Sequence, residues 1–293
     1  MTAQPLARVE FSIITPSFRN SQWLKLCVAS VADQPGVEAE HIVQDAGSDD
    51  GTLDWLTRDP RVRAHVEKDK GMYDAINRGL RRARGGLLAY LNCDEQYLPG
   101  TLKKVSAFFD RHPDVDIVLG ACILVDTGGN YLCERRPLTP RLLHIWASGN
   151  LGFLTAGMFM RRRVMDTHKL FFNPDLRDVG DAEWTVRVVK AGLRTAVLPE
   201  FLSVFTKTGH NLGLGPNTAK ERQAFVASAP RWARFLKPLL VMHFRLRRWR
   251  AGHYRCDPHD YSIYTLDNPA CRKTFHVANP AFRWTGQNPA QRG

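Results

Sequence analysis

The sequence predicts an α/β fold, a mostly parallel sheet flanked by helices, followed by a basic C-terminal helical extension. Short apolar runs alternate with segments whose apolar residues recur every three or four positions, as strands and helices of a parallel sheet do. Polar loops rich in Asp, Gly and Ser follow several of these runs. The charge is also uneven: residues 1–215 carry 27 Lys/Arg against 25 Asp/Glu, whereas residues 216–293 carry 14 against 4. We therefore expect one domain over residues 8–215 and a basic, partly amphipathic extension over residues 216–293.

The elements follow in order. Val9 to Thr15 reads as a buried strand ended by Pro16, and Trp23 to Val31 has helical spacing. His41 to Val43 is a short strand, Asp45 to Thr52 a polar loop, and Leu53 to Leu56 opens a helix. Ala64 to Val66 is a strand, Tyr73 to Arg84 a helix, and Leu87 to Leu91 a buried strand that delivers Asn92-Cys93-Asp94-Glu95 at its carboxyl end. In open α/β sheets, ligands bind where such strand ends converge. Gly100 to Arg111 is helical, Ile117 to Gly120 a strand, and Asp126 to Asn130 a hairpin turn that predicts antiparallel additions to the sheet. Asp181 to Lys190 is a helix, and Thr195 to Leu198 a strand.

Composition narrows the function classes. With 293 residues, 44% hydrophobic and 24% charged, the chain is an ordinary globular protein large enough for an enzyme core. No run approaches the ~18–20 apolar residues that span a bilayer. Met1 to Glu10 lacks a basic segment followed by an apolar one, so residence in the cytoplasm is expected. The six cysteines form no C-x-x-C pair and read as reduced thiols. The turn after the first strand, Thr15 to Asn20, contains no glycine, which excludes a G-x-G-x-x-G dinucleotide site and a P-loop.

Three acidic loops carry the chemistry: Asp45 to Thr52, Asn92 to Glu95, and Gly180-Asp181-Ala182-Glu183. Taken singly, each has a plain structural reading. Asp, Gly, Ser and Thr favour turns and helix caps, and Asp181 with Glu183 suits the first turn of a helix.

Jointly the motifs resemble family 2 glycosyltransferases over residues 9 to 225. Ser12-Ile13-Ile14-Thr15-Pro16-Ser17-Phe18-Arg19-Asn20 is similar to the family's first strand and nucleotide-binding turn. Gln44 to Thr52 resembles its Asp-Gly-Gly-Ser-x-Asp-Gly-Thr loop, and Glu67-Lys68-Asp69-Lys70-Gly71-Met72-Tyr73-Asp74-Ala75-Ile76-Asn77-Arg78-Gly79 resembles the signature of one large subgroup. Leu91 to Glu95 with Leu98-Pro99-Gly100 completes the pattern.

The resemblance implies a GT-A, Rossmann-like fold and inverting transfer of a sugar from a nucleotide-sugar donor, with a uracil base favoured. The acceptor it implies is a glycan or a lipid-linked molecule. Asp45 would accept the base's imide N–H, with Thr15 and Pro16 packed beside the base. Arg19, Asp69, Lys70 and Cys93 would lie along the nucleotide, and Asn92 would meet donor sugar or ribose hydroxyls. The family's Asp-x-Asp stands here as Asn92-Cys93-Asp94, so Asp94 is the expected ligand of Mn²⁺ or Mg²⁺, with Glu95 beside it. A hard cation wants carboxylate oxygens and stabilises the departing diphosphate. Asp181 is the expected general base, with Glu183 as the alternative. In the loop Phe205 to Asn211, Lys207 would contact the diphosphate and His210 would serve as a metal or phosphate ligand. Many subgroup members carry His-Gln just before the segment matching Thr155 to Phe159, where this chain has Phe153 and Leu154.

Two other readings stay open. Asn92 in place of the first carboxylate suits a nucleotide-binding homologue that has lost catalysis. The basic tail suits a nucleic-acid or membrane-binding module. Trp232, Phe235, Leu239, Met242, Leu246 and Trp249 fall at spacings of three and four, an amphipathic stripe rather than an RNA platform. Pro238 to Arg250 is therefore expected to dock on an anionic membrane, with Arg245, Arg247, Arg248 and Arg250 reaching phosphates. Alternatively the stripe packs on the catalytic domain and the arginines form its solvated face.

Overall fold

The computed structural model describes residues 9–209 and 216–283. Its first half is a run of parallel strands. β1 (Phe11–Ser17), β2 (Ala39–Asp45), β3 (Arg63–Val66) and β4 (Leu87–Tyr90) alternate with helices α1 (Ser21–Ala32), α2 (Thr52–Leu56) and α3 (Met72–Arg82). Next come β5 (Glu95–Tyr97), α4 (Thr101–Arg111), β6 (Ile117–Val125), β7 (Tyr131–Arg135), α5 (Leu142–Ser148), β8 (Met158–Arg161), α6 (Arg163–Asp166), α7 (Gly180–Lys190) and β9 (Thr195–Thr206). The strands form one sheet in the order β3-β2-β1-β4-β8-β6-β9-β5, with β7 paired to β6. β8 runs antiparallel between β4 and β6, and β5 is antiparallel to β9.

Alternation along the central strands explains the two layers. Phe11, Ile13, Leu87, Ala89 and Leu91 face one buried cluster with Cys27 of α1 and Val105 and Phe109 of α4. Ile14, Leu88 and Tyr90 face the other, with Ile76 and Leu80 of α3 and Trp184 and Val188 of α7. Both faces are covered, as a parallel sheet requires. Each such side chain removed from water contributes about 1.5–3 kcal/mol.

Pro16 does not end the first strand; β1 continues to Ser17, registered on Asp45 of β2. The Leu91 N–H donates to the Ile14 carbonyl, so Pro16, two residues on, turns its nitrogen to the side where β4 has already left the sheet. A ring without an N–H is tolerated there because no partner strand needs one.

The C-terminal portion comprises α8 (Pro216–Ala227), α9 (Arg231–Phe235), α10 (Lys237–Arg250) and a hairpin, β10 (His259–Thr265) with β11 (Asn268–Val277). The hairpin, unanticipated in the sequence, closes on the sheet rather than standing off from it. Tyr261, Ile263 and Val277 share an apolar cluster with Leu98, Ile123, Val125 and Val204. Arg272 grips Asp33 at 2.6 Å and donates to the Tyr97 carbonyl, and Gln96 exchanges two hydrogen bonds with the Tyr264 backbone. Gly129, in the β6–β7 turn, has φ +83°, and a Cβ there would lie 2.9 Å from both Phe275 and Thr265. No helix among the described residues is long and apolar enough to cross a membrane.

Candidate active site

The parallel strands deliver their loops to one edge of the sheet, where the chain ties them together. At the end of β2, Asp45 Oδ1 accepts the backbone N–H groups of Gly47 and Ser48 at 2.9 and 2.7 Å. Its Oδ2 accepts the hydroxyls of Ser17 and Ser48 at 2.9 and 2.8 Å. Asp45 is fully buried with its acceptor positions occupied, and it organises the loop. Thr15 is likewise turned into the core, its Oγ1 2.8 Å from His41 Nε2, and Pro16 is buried in the strand. Burial drives His41 down to about 3, so that partner is a neutral imidazole.

Arg19 and Asp49 form a bidentate pair at 2.6 Å across the two loops, and the Arg19 N–H donates to Ser48 Oγ. Both side chains are exposed, so the pair is open to exchange for a ligand. Asn20 donates to Cys93 Sγ at 2.9 Å, joining the loop after β1 to the turn after β4. Burial holds the Cys93 thiol well above its ordinary value, so it is neutral there.

Within that turn, the backbone and side-chain nitrogens of Asn92 donate to Glu95 at 2.9 and 3.1 Å. Glu95 is buried and holds the turn in shape. Burial raises Asp94 to about 6, and burial reinforced by the Asp94 charge raises Glu95 to about 8. Asn92 Oδ1 is buried without a hydrogen-bond partner among the described residues. Two desolvated carboxyl groups and an unpaired amide oxygen make a hard-oxygen environment that suits a divalent cation. Among the described residues no cluster of three or more His, Cys, Asp or Glu side chains could hold a metal. A cation here would therefore need oxygens from the ligand itself, as Mg²⁺ commonly takes them from substrate phosphates.

Lys207 follows β9, which runs antiparallel to β5 in the register Glu95↔Phe205, so the chain leaves that strand toward the Asn92–Asp94 turn. Its N–H donates to the Val125 carbonyl. His210 lies outside the described residues.

The loop between β3 and α3 connects the donor side to α7. Asp69 Oδ1 accepts the Gly71 N–H at 2.9 Å, and burial raises its carboxyl above the ordinary range. The Lys70 N–H donates to Asp74 at 3.0 Å. Gly71 has φ +134°, and a Cβ there would stand 3.6 Å from the Arg177 guanidinium. One turn on, the Tyr73 hydroxyl accepts the Asp181 N–H at 3.1 Å. Gly180 permits this approach, since a Cβ there would lie 2.4 Å from the Tyr73 ring. Tyr73, Phe172 and Trp184 stack in sequence, fixing α7 against α3.

Asp181 therefore sits on a braced helix start. Burial lifts its carboxyl to about 6, opposed by hydrogen bonds from the Ala182 backbone and the Tyr73 hydroxyl. Val179, not Asp181, is the cap residue. Glu183 is engaged by Arg187, one turn along the helix, at 2.7 and 2.8 Å.

Two positioning groups are not marked by the sequence. Tyr73 stands inside the subgroup motif, but its hydroxyl's partner is 108 residues away. Glu221, on α8, accepts the backbone N–H groups of Arg177, Asp178 and Val179 at 2.9 to 3.1 Å, clamping the approach to Asp181. No local pattern signals it.

Comparison with known proteins bears on the family and the fold. The sequence profile described as Glycosyl transferase family 2 matches residues 12–168, more than half of the chain. A PGL/p-HBAD biosynthesis glycosyltransferase of Mycobacterium tuberculosis is 28% identical over 254 residues, covering 83% of this chain and 92% of the relative. The crystal structure of S. aureus TarS 1-349 in complex with UDP-GlcNAc aligns with a TM-score of 0.59 at 19% identity, over 82% of this chain and 73% of that one. The mannosyltransferase PcManGT from Pyrobaculum calidifontis, in complex with GDP-Man and Mn²⁺, aligns at 0.52 and 14% identity, over 84% and 80% of the two chains. Both likenesses are of fold, a GT-A α/β domain. With its motifs gathered at one sheet edge and its family profile matched, this chain belongs to glycosyltransferase family 2 and is a glycosyltransferase.

Proposed function

We propose that the enzyme is an inverting transferase that moves a sugar from a UDP-sugar to a hydroxyl of a glycan or lipid-linked acceptor. Asp181 is the general base in this reading, and a divalent cation, Mn²⁺ or Mg²⁺, binds beside Asp94. The observation that carries it is the environment of Asp181, a braced, largely buried carboxyl raised to about 6. A base with a value near neutrality is ionised at working pH yet still takes a proton readily.

The acceptor oxygen attacks the anomeric carbon and passes its proton to the Asp181 carboxylate. The bond from that carbon to the diphosphate oxygen breaks with its electron pair on the leaving group, so the products are UDP and a glycoside of inverted configuration. Asp94 would hold the cation, with Asn92 Oδ1 as a neutral donor; when bound, it offsets the negative charge developing on the diphosphate. Lys207 would approach the same phosphates. With Asp45 committed to its loop, contact with the nucleotide falls to the exposed Arg19, to Asp69 and Lys70, and to the walls of the turns around Cys93.

The UDP and UDP-GlcNAc complexes of TarS support a uridine donor. The test is thermal stabilisation by UDP-, GDP- and dTDP-sugars, with and without Mn²⁺, because a ligand selective for the native state raises its stability. The stabilising sugar is then used in transfer, with the product's anomeric configuration read by NMR. Stabilisation by UDP-sugar and an inverted product are expected. Stabilisation by GDP- or dTDP-sugars alone would overturn the donor assignment, and a retained configuration would overturn the mechanism.

A further inference from the structure

The outer face of α9 and α10 reverses the normal arrangement of a surface helix. Phe235, Leu239, Met242, Leu246 and Trp249 succeed one another at intervals of four, three, four and three, which places them on one face. All five are exposed, from 40% for Leu246 to 85% for Phe235, and Trp232 extends the stripe one turn earlier. The face toward the protein is partly polar. Arg247 donates to the carbonyl and hydroxyl oxygens of Thr139 at 3.0 Å and lies 3.2 Å from His144, while His243 meets the other nitrogen of His144 at 3.1 Å. Arg248 lies over the Tyr254 and Phe282 rings. The expectation that the apolar stripe packs on the core is thereby overturned, as is the placing of Arg247 among cations that reach outward.

The surrounding charge is one-sided. Between Glu221 and Asp257 the chain carries nine Lys/Arg and no Asp or Glu. Arg231, Arg234, Lys237, Arg245 and Arg250 are exposed beside the stripe. On its flank a cavity of about 690 Å³ opens between α5 and α10, with Arg245, Arg248 and Arg283 in its wall and no carboxylate. We propose that this face docks on an anionic lipid bilayer. The stripe enters the boundary between headgroups and acyl chains, the flanking cations meet lipid phosphates, and the cavity takes a headgroup. An exposed apolar row rimmed by cations fits that occupant, since neither water nor a neutral protein surface satisfies both parts. The bilayer would then lie close to the acceptor side, because α5 packs against both α10 and α7, the helix that carries Asp181.

The proposal is independent of sugar transfer and is tested by binding. The full chain is sedimented with phosphatidylcholine vesicles with and without phosphatidylglycerol, at low and high salt. Met242→Ser/Trp249→Ser and Arg245→Glu/Arg250→Glu are compared with it after their unchanged thermal midpoints show that they fold. Binding to the anionic vesicles, lost at high salt and weakened at least about tenfold in each double variant, is expected. No binding to anionic vesicles at low salt would overturn the proposal, as would binding that survives both sets of substitutions. So would a soluble dimer split by Met242→Ser/Trp249→Ser with no vesicle binding, which would make the stripe an interface between two copies.

Discussion

Asp181 is costly to the fold for the same reason that it suits proton transfer. Its carboxyl is raised from 3.8 to about 6, so the native state binds the proton more tightly than the unfolded chain does. Stability attached to this group is therefore present below about pH 4 and is lost as pH rises through about 6. Asp181→Asn removes that cost. At pH 7.5 the variant is expected to bind donor normally and to be more stable by roughly 1–3 kcal/mol, since each tenfold difference in proton affinity between the folded and unfolded states is worth ~1.4 kcal/mol. It should also turn over at least about a hundredfold more slowly. In the native enzyme kcat/KM should fall tenfold for each step of one in pH below about 6, and this limb should vanish in the variant. A variant that is both fully active and no more stable would remove Asp181 from the role of base. Asp94→Ala is expected to abolish transfer and metal-dependent nucleotide binding; undiminished activity in that variant, or in EDTA, would defeat the metal assignment. Residue types announced these carboxylates, but not what their neighbours would be. Asp45 and Glu183 carry the same chemistry and are consumed by Ser17, Ser48 and Arg187. Such partners become visible only in three dimensions.

Among the elements, α7 is held from two directions: Tyr73 of α3 meets it through the gap at Gly180, and Glu221 of α8 receives three backbone N–H groups just before it. Hydrogen bonds from backbone N–H to a carboxylate are among the stronger kind, and the causes that lower the Glu221 value include all three. Glu221→Ala should free the 177–179 segment and lower kcat about tenfold; donor affinity should fall by a smaller factor, because only Arg177 of that segment lies beside the Asp69–Gly71 loop. A kcat left untouched in Glu221→Ala would show that the clamp is purely structural. The strands and long helices were legible from apolar periodicity, and their order gave the parallel half of the sheet. The short β5 and β8 were not, because three or four residues carry too little pattern to separate a strand from a loop.

On the scale of the whole molecule, the charge asymmetry suggested a boundary near residue 215, and the hairpin beyond it packs on the sheet of the preceding part. The sequence pattern reports charge faithfully; it says nothing of the pairing of a polar hairpin such as Asn268 to Val277, most of whose residues remain exposed. What fixes that hairpin is long-range and shared. Tyr261 donates to the Gly129 carbonyl at 2.6 Å, and the Glu134 N–H and the Arg135 guanidinium bond the carbonyls of Ala281 and Phe282. Ending the chain after Asn217 would strip these partners, expose the cluster of Leu98, Ile123, Val125 and Val204, and remove the Glu221 clamp. Loss of three buried apolar side chains alone removes about 5–9 kcal/mol of favourable burial, comparable to the ~5–15 kcal/mol by which a domain is stable. The truncated chain is therefore expected to be insoluble or to lose its cooperative thermal transition. Should it instead stay soluble, melt cooperatively within a few degrees of the full chain and still bind UDP, the hairpin would be an accessory to an independently stable domain.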